Sequence, residues 1–262
     1  MRKTRPAPSY KRIALVASDG LAAQRARRRL VQRYGDVRPE TADVVVALGG
    51  DGLMLATLQR FMNSGKPIYG MHRGTVGFLM NEYNERDLHK RLAAAHVTVI
   101  HPLLMRARDA AGRVHRHRAI NEVSMFRQSY QAARLRVLVD GKERLAELVA
   151  DGVLLATPAG STAYNLSANG PIIPLGSALM ALTPISAFRP RRWRGALLRD
   201  DARVTIRVLE AAKRPVAATA DHFEIRRVEE VNIVTDKATS LILLHDPGHS
   251  LDERILREQF GD

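Results

Sequence analysis

Val44-Val45-Val46-Ala47-Leu48-Gly49-Gly50-Asp51-Gly52 is the stretch on which the reading of the fold turns. The run Val44 to Leu48 is apolar without alternation, so it predicts a strand buried on both faces and favours a mainly parallel sheet between helices. The strand ends in a glycine turn holding a single carboxylate. Glycine has no Cβ and tolerates positive φ, so this backbone can approach a phosphate closely, whereas Asp51 would repel one and needs another job. Beyond the turn, Leu53, Leu55, Leu58 and Phe61 recur at spacings a helix can use. The turn's amides would then sit at the positive end of a helix dipole. Taken alone, these residues fit an anion site and an Asp-capped glycine turn equally well.

Working outward, the first hundred residues alternate in type. An apolar run at Ile13 to Ala17 precedes a helical stretch from about Leu21 to Tyr34. Ser64-Gly65-Lys66-Pro67 stops the helix after the turn, Ile68 to Met71 reads as another buried strand, and a helix is expected over Glu85 to Ala95. Ligands of such sheets gather at strand C-terminal ends, where the glycine turn lies. From about Ile100 the texture becomes strand-like, with tight turns at Ala111-Gly112 and Asp140-Gly141 and alternation from Arg134 to Val139. Further strands are expected at Val204 to Leu209, Val216 to Ala220, Val231 to Val234 and Leu241 to Leu244. The expected organisation is an α/β domain over 1–99 with a mainly parallel sheet, a mostly-β domain over 100–248, and a terminal helix over 249–262 packing back on the first.

The 262 residues are 45% hydrophobic, enough for one large domain or two ordinary ones with a substantial core. No apolar run approaches the roughly 18 residues that span a bilayer, so a soluble cytoplasmic protein without membrane partners is expected. Absence of cysteine excludes disulfides and thiolate chemistry. The formal charge of +14 suits nucleic acid and small anionic substrates alike. Arg25, Arg27, Arg28 and Arg29 read as a solvated helix face. The run Arg189-Pro190-Arg191-Arg192-Trp193-Arg194 interleaves an aromatic with positive charge, which fits base stacking and equally a basic loop at a subunit contact. His115 with His117, and His245 with His249, lack a third ligand at metal-site spacing, so no metal ligands are assigned.

Neither a Walker loop nor a Rossmann fingerprint is present; Gly70, Gly74 and Gly77 have the wrong spacing. What the chain does contain is an ordered series: Gly49 to Gly52, Gly70 to Leu79, Asn121-Glu122, Asp151 through Pro174 with Gly160-Ser161-Thr162-Ala163-Tyr164 and Ser167, then Asp221-His222. This series, covering nearly the entire chain, resembles the NAD kinases, which transfer the γ-phosphoryl group of ATP to the adenosine ribose 2'-hydroxyl of NAD. Lipid kinases and phosphofructokinases share a glycine-aspartate turn, but give no reason for Asp151 or Tyr164.

The resemblance implies an NAD kinase/diacylglycerol kinase-like fold, with the β domain binding NAD and building a dimer or tetramer. It implies that Asp51 is the general base and that Gly49, Gly50 and Gly52 shape the phosphate-binding turn. Gly52, Phe78, Asn121, Glu122, Asp151, Thr162, Ala163, Tyr164, Ser167, Asp221 and His222 are implied NAD-binding residues. Mg²⁺ is the implied cofactor, arriving with ATP. The chain departs from the family at Ala159, where Thr is usual, near His72, where Asn is usual, and at Asn169, where a second Gly is usual. The rival readings are a non-catalytic NAD(P)-binding sensor, against which Asp51 argues, and a basic nucleic-acid-binding module.

Overall fold

The computed structural model describes residues 10–73 and 79–248. Two compact units form, Met1–Ile100 with Thr239–Asp262, and His101–Ala238. Phe78, His249 and the helix expected over 249–262 lie outside the described residues.

The first unit contains β1 (Ile13–Ala17), α1 (Leu21–Tyr34), β2 (Val44–Gly49), α2 (Asp51–Arg60), β3 (Pro67–His72), α3 (Leu88–Ala94) and β4 (His96–Ile100). The second contributes β5 (Leu103–Asp109), β6 (Val114–Ala119), β7 (Glu122–Arg127), β8 (Ala133–Val139), β9 (Lys142–Ala150) and β10 (Gly152–Ala156). It continues through a 3₁₀ turn (Ala159–Thr162), α4 (Tyr164–Ser167), β11 (Leu179–Ile185), β12 (Ala196–Arg199), β13 (Val204–Val208), β14 (Val216–Ala220), β15 (Phe223–Ile225) and β16 (Val228–Thr235). The chain then returns to the first unit as β17 (Leu241–His245).

The first sheet runs β1-β2-β3-β17-β4, parallel through β17 with β4 antiparallel at the edge. Every residue of β2 is buried, as its unbroken apolar run requires. Val44, Val46 and Leu48 pack with Ala26 and Leu30 of α1. The intervening residues face the other way, and there the Met54 thioether of α2 lies 3.1 Å from where a Cβ on Gly70 would stand. Burying each such Val or Leu stabilises by about 1.5–3 kcal/mol.

Two expectations are corrected. Leu241 to Leu244 had read as part of the β domain, but β17 is laid between β3 and β4 of the first sheet, so the second unit closes at Ala238 rather than at 248. Buried Asn81 fastens the returning strand: its Nδ2 donates to the Gly70 and Leu244 carbonyls at 2.9 and 3.0 Å. Its Oδ1 accepts the Asp246 amide at 2.9 Å. The helix expected from Glu85 starts only at Leu88, because Glu85 accepts hydrogen bonds from Arg29 and Tyr83 on its carboxylate and from Tyr34 on its carbonyl.

The second unit is a sandwich of two antiparallel sheets, ordered β6-β5-β16-β13-β8-β9 and β12-β11-β10-β7-β14-β15. Inward residues such as Leu103, Leu135, Val153, Leu155, Ile206 and Val231 fill its core. Two of the points where the chain changes sheet carry candidate residues: Asn121 between β6 and β7, and Asp151 between β9 and β10. Asp140 and Gly141, with φ of 52° and 76°, close the β8–β9 hairpin as the dipeptide predicts.

The arginine clusters do structural work. Arg27 and Arg29 form ion pairs with Asp36 and Glu85. Trp193 is partly buried and packs against the sandwich core, and Arg189 and Arg191 lie over Phe188. No described helix is long and apolar enough to cross a membrane.

Candidate active site

In the first unit the site is the turn joining β2 to α2. Gly49 ends the buried strand, and a Cβ there would meet Leu53 Cδ2 at 2.8 Å, so a larger residue would require the Leu53 side chain to shift. Among the described residues nothing stands within 4 Å of a notional Cβ on Gly50 or Gly52. Asp51 begins α2, and its Oδ1 accepts the Leu79 amide at 3.0 Å. A carboxylate in the first turn is favoured by the helix dipole, and this amide fixes its direction. The Gly49 carbonyl accepts the Arg73 amide at 2.8 Å, while the Arg73 guanidinium lies 4.0 Å from the centre of the Tyr83 ring. The turn is therefore braced by the segment carrying Gly70 to Arg73, the second motif of the series.

The other described candidates all belong to the second unit, most of them at one end of its second sheet. The register aligns Glu122 with Ala156 and Ala220 with Val123, so the start of β7 lies between the ends of β10 and β14. Thr157, directly after β10, donates its amide to Asn121 O at 2.9 Å and its hydroxyl to Ile120 O at 2.7 Å. Its hydroxyl also accepts the Gly160 amide at 3.0 Å, which starts the 3₁₀ turn. A Cβ on Gly160 would lie 2.1 Å from Asn121 O, so only glycine permits this approach.

The turn places Thr162, Ala163, Tyr164 and Ser167 at least partly exposed, with Tyr164 38% accessible. They stay outward because buried Asn165 anchors the loop from below. Its Nδ2 donates to Ser161 O at 3.1 Å and Pro171 O at 2.9 Å, and its Oδ1 accepts the Thr183 hydroxyl at 2.7 Å. Asn165 was missed in the sequence, where its only signal is an amide side chain inside an otherwise small and hydroxylic motif. Ala159 is buried, and the hydroxyl bonds that organise this turn come from Thr157 and from Ser161, whose Oγ donates to Pro158 O at 2.7 Å and accepts the Ile173 amide at 3.0 Å. Asn169 adopts φ of 60°, which explains why the usual glycine can be replaced there by the residue that best tolerates the left-handed region.

Four carboxylates have four different environments. Asp221 follows β14 with φ of 51°, and its carboxylate accepts the amides of Ile120, Asn121 and Glu122 at 2.7, 3.0 and 3.3 Å. Glu122 is the reverse: Oε2 is buried without a hydrogen-bond partner, and burial followed by the charge of Asp221 pushes its pKa up to about 7. Asp151 stands at the opposite end of β10, about 17–20 Å along the strand, and pairs with Arg127 at 2.6 Å. Burial first, then the charges of Glu122 and Asp151, raises the Tyr164 phenol pKa, so that ring stands within the field of both. His222 is exposed and stacks at 4.2 Å on Phe223, whose ring also meets His117 at 4.9 Å. His115 pairs with Asp109 instead of facing His117, and among the described residues no cluster of three or more potential ligands could hold a metal ion.

Comparison with known proteins agrees with this arrangement. The model of the ATP-NAD kinase N-terminal domain matches residues 14–96, and that of the ATP-NAD kinase C-terminal domain matches residues 120–242. NAD kinase of Caulobacter vibrioides is 61% identical over 256 residues, covering 98% of both chains. NAD kinase of Rhizobium meliloti is 57% identical over 98% of this chain and 100% of its own. Among solved structures, yeast NADH kinase complexed with NADH matches with a TM-score of 0.84 at 20% identity, over 97% of this chain and 88% of its own. An Archaeoglobus fulgidus NAD kinase in complex with ATP gives 0.73 at 23% identity, over 95% and 97%. With both domain models matched in order and close relatives aligned over almost their whole length, the chain belongs to the ATP-NAD kinase family.

Proposed function

We propose that this chain transfers the γ-phosphoryl group of ATP to the adenosine ribose 2'-hydroxyl of NAD, with Asp51 as the base. The new O–P bond forms as the bond from the γ-phosphorus to the β-bridging oxygen breaks, and the hydroxyl proton passes to Asp51. The observation carrying this reading is the placement of Asp51: at the head of α2, between two glycines, with its Oδ1 accepting the Leu79 amide. A ribose hydroxyl is too weak an acid to ionise in the ground state, so Asp51 accepts the proton while phosphorus is attacked and meanwhile orients the oxygen. The transition state is loose, so amides at the helix start and correct alignment supply the remaining stabilisation.

Mg²⁺ enters as part of the Mg-ATP substrate and neutralises phosphate charge. The carboxylates described are dispersed rather than clustered, which suits an ion held mainly by substrate phosphates. On the NAD side, the reading assigns the nucleosides to Asn121, Glu122, Thr162, Ala163, Tyr164 and Ser167, with Asp151 towards the nicotinamide and His222 near the reacting ribose. The exposed flank of the Tyr164 ring offers an apolar surface to adenine. A homo-oligomer and a cytoplasmic location complete the proposal, the first checked by light scattering of the purified protein.

The test is NADP formation from NAD and Mg-ATP by the purified chain and by Asp51→Asn. The variant should bind NAD as the parent does and lose about 10²–10⁴ in turnover, the usual worth of a general base. Parental turnover in Asp51→Asn would remove Asp51 from the mechanism.

A further inference from the structure

The distribution of backbone amides around Asp221 and Glu122 leads beyond the reaction itself. At the corner where β6 passes into β7, three successive amides point the same way, and such a group normally stabilises whichever anion lies before it. Here all three, including the amide of Glu122 itself, are taken by the Asp221 carboxylate. Asp221 donates its own amide back to Glu122 O at 3.1 Å, so the two segments are tied in both directions. Glu122 is left beside an anion with one oxygen buried and without a donor.

The titratable groups acting on Glu122 are Asp221 from the β14–β15 turn and Tyr164 from α4; its β10 neighbour Ala156 carries no charge. Among the described residues no cation pairs with it. An ionised Glu122 in this place would be an uncompensated charge, whereas a protonated one has an O–H that lacks only an acceptor.

We infer that Asp221 is a positioning residue that presents Glu122 to the dinucleotide as a neutral acid, so that NAD binding takes up a proton at Glu122. The inference rests on the proposed assignment of Glu122 to the NAD nucleosides. NAD closes the corner from water and adds the negative charge of its diphosphate, both of which disfavour a carboxylate further. A nucleoside oxygen or ring nitrogen would accept the Glu122 proton. The raised pKa of the free chain agrees in direction.

The experiment is calorimetric titration of NAD into the full-length protein at pH 8, in two buffers with different heats of ionisation. Their difference counts the protons taken up. Uptake approaching one proton per site is expected, together with a roughly tenfold or greater loss of NAD affinity between pH 7 and pH 8.5. Glu122→Gln, a permanently neutral donor, should bind NAD with no uptake and a flat pH profile. Asp221→Asn should displace the affinity profile to lower pH, which a purely structural lesion would not do. Zero uptake in the parent, uptake persisting in Glu122→Gln, or loss of NAD binding by that variant at every pH would overturn the inference. Because binding rather than turnover is read, NAD bound with proton uptake but without NADP formation would count against the kinase reading alone, and bound NAD without uptake against this inference alone.

Discussion

Replacing Asn165 by Ala should loosen the NAD-side loop at a cost that can be worked out from its contacts. The substitution removes two N–H donors and one acceptor, leaving the Ser161 and Pro171 carbonyls and the Thr183 hydroxyl without these partners. Asn165, Ser161 and Thr183 are at most 1% exposed, so water does not reach them in the parent structure. An orphaned buried polar group costs about 1–3 kcal/mol. The vacated space adjoins Gly170, whose notional Cβ would lie 2.1 Å from Asn165 Oδ1, so a water can enter and recover part of the loss. The net expectation is about 3–5 kcal/mol, or a urea midpoint lower by roughly 1–3 M for slopes typical of small units. The chain's single tryptophan, Trp193, packs on the sandwich core, so its fluorescence follows this unit's unfolding selectively. Asn165→Asp keeps the shape but turns a carboxylate towards two carbonyls; it should be as damaging at pH 8 and partly recover in acid, where the protonated group regains one donor. Under native conditions the KM for NAD should rise while that for ATP holds. A loss below about 1 kcal/mol in Asn165→Ala, or equal effects on both substrates, would refute the anchoring argument.

Further expectations concern backbone approach and charge. Gly160→Ala would press a Cβ onto Asn121 O at 2.1 Å and should cost at least about 2 kcal/mol while weakening NAD binding, read by thermal melting and titration. Gly52→Ala meets nothing within 4 Å among the described residues and removes a helical glycine, so melting should be unchanged or raised by up to about 1 kcal/mol; kcat/KM for ATP should nevertheless fall at least about tenfold if phosphate uses that space. For Glu122 the native pKa near 7 exceeds the ordinary 4.5, so the native state binds more protons between these values and stability falls as pH rises through them. Glu122→Gln should therefore be the more stable form at pH 8, by at most roughly 3 kcal/mol, with no advantage at pH 4, as urea titrations at both pH values would register.

Periodicity made the first sheet and α1 legible because those elements are long, regular and buried on predictable faces. Val44 to Leu48 and Leu21 to Tyr34 fall where their patterns put them. A strand's pattern, however, says nothing about its partner. Leu241 to Leu244 looks the same whether it joins a sandwich or returns to the first sheet, and the residue that fastens it, Asn81, lies more than a hundred positions away. Glu85 carries ordinary helical propensity, but three tertiary hydrogen bonds, from Arg29, Arg33 and Tyr34, hold it outside α3. Of the candidate site, the glycines and small hydroxylic residues were visible as an ordered series. Thr157 stood within that series without a role, and Asn165, which holds it in place, was not singled out, since a buried amide bonded to backbone looks in sequence like any surface polar residue.

The acidic residues show most clearly what composition and spacing leave open. By resemblance Asp51 reads as the base and Glu122, Asp151 and Asp221 as contacts to NAD, but a carboxylate's chemistry depends on which donors reach it. In the fold Asp221 meets three amides, Asp51 meets the Leu79 amide, Asp151 meets a guanidinium, and the buried oxygen of Glu122 meets no donor. The Asp221 carboxylate, bonded to three successive amides, holds backbone in place. On the proposed reading Asp51, whose Oδ1 accepts the Leu79 amide, receives the proton of the substrate hydroxyl. Glu122, its buried oxygen deprived of donors, carries its proton to the ligand. On the proposed reading the division of roles turns on how a few backbone N–H groups are shared: the three that hold the Asp221 carboxylate are withheld from Glu122, although one of them is its own.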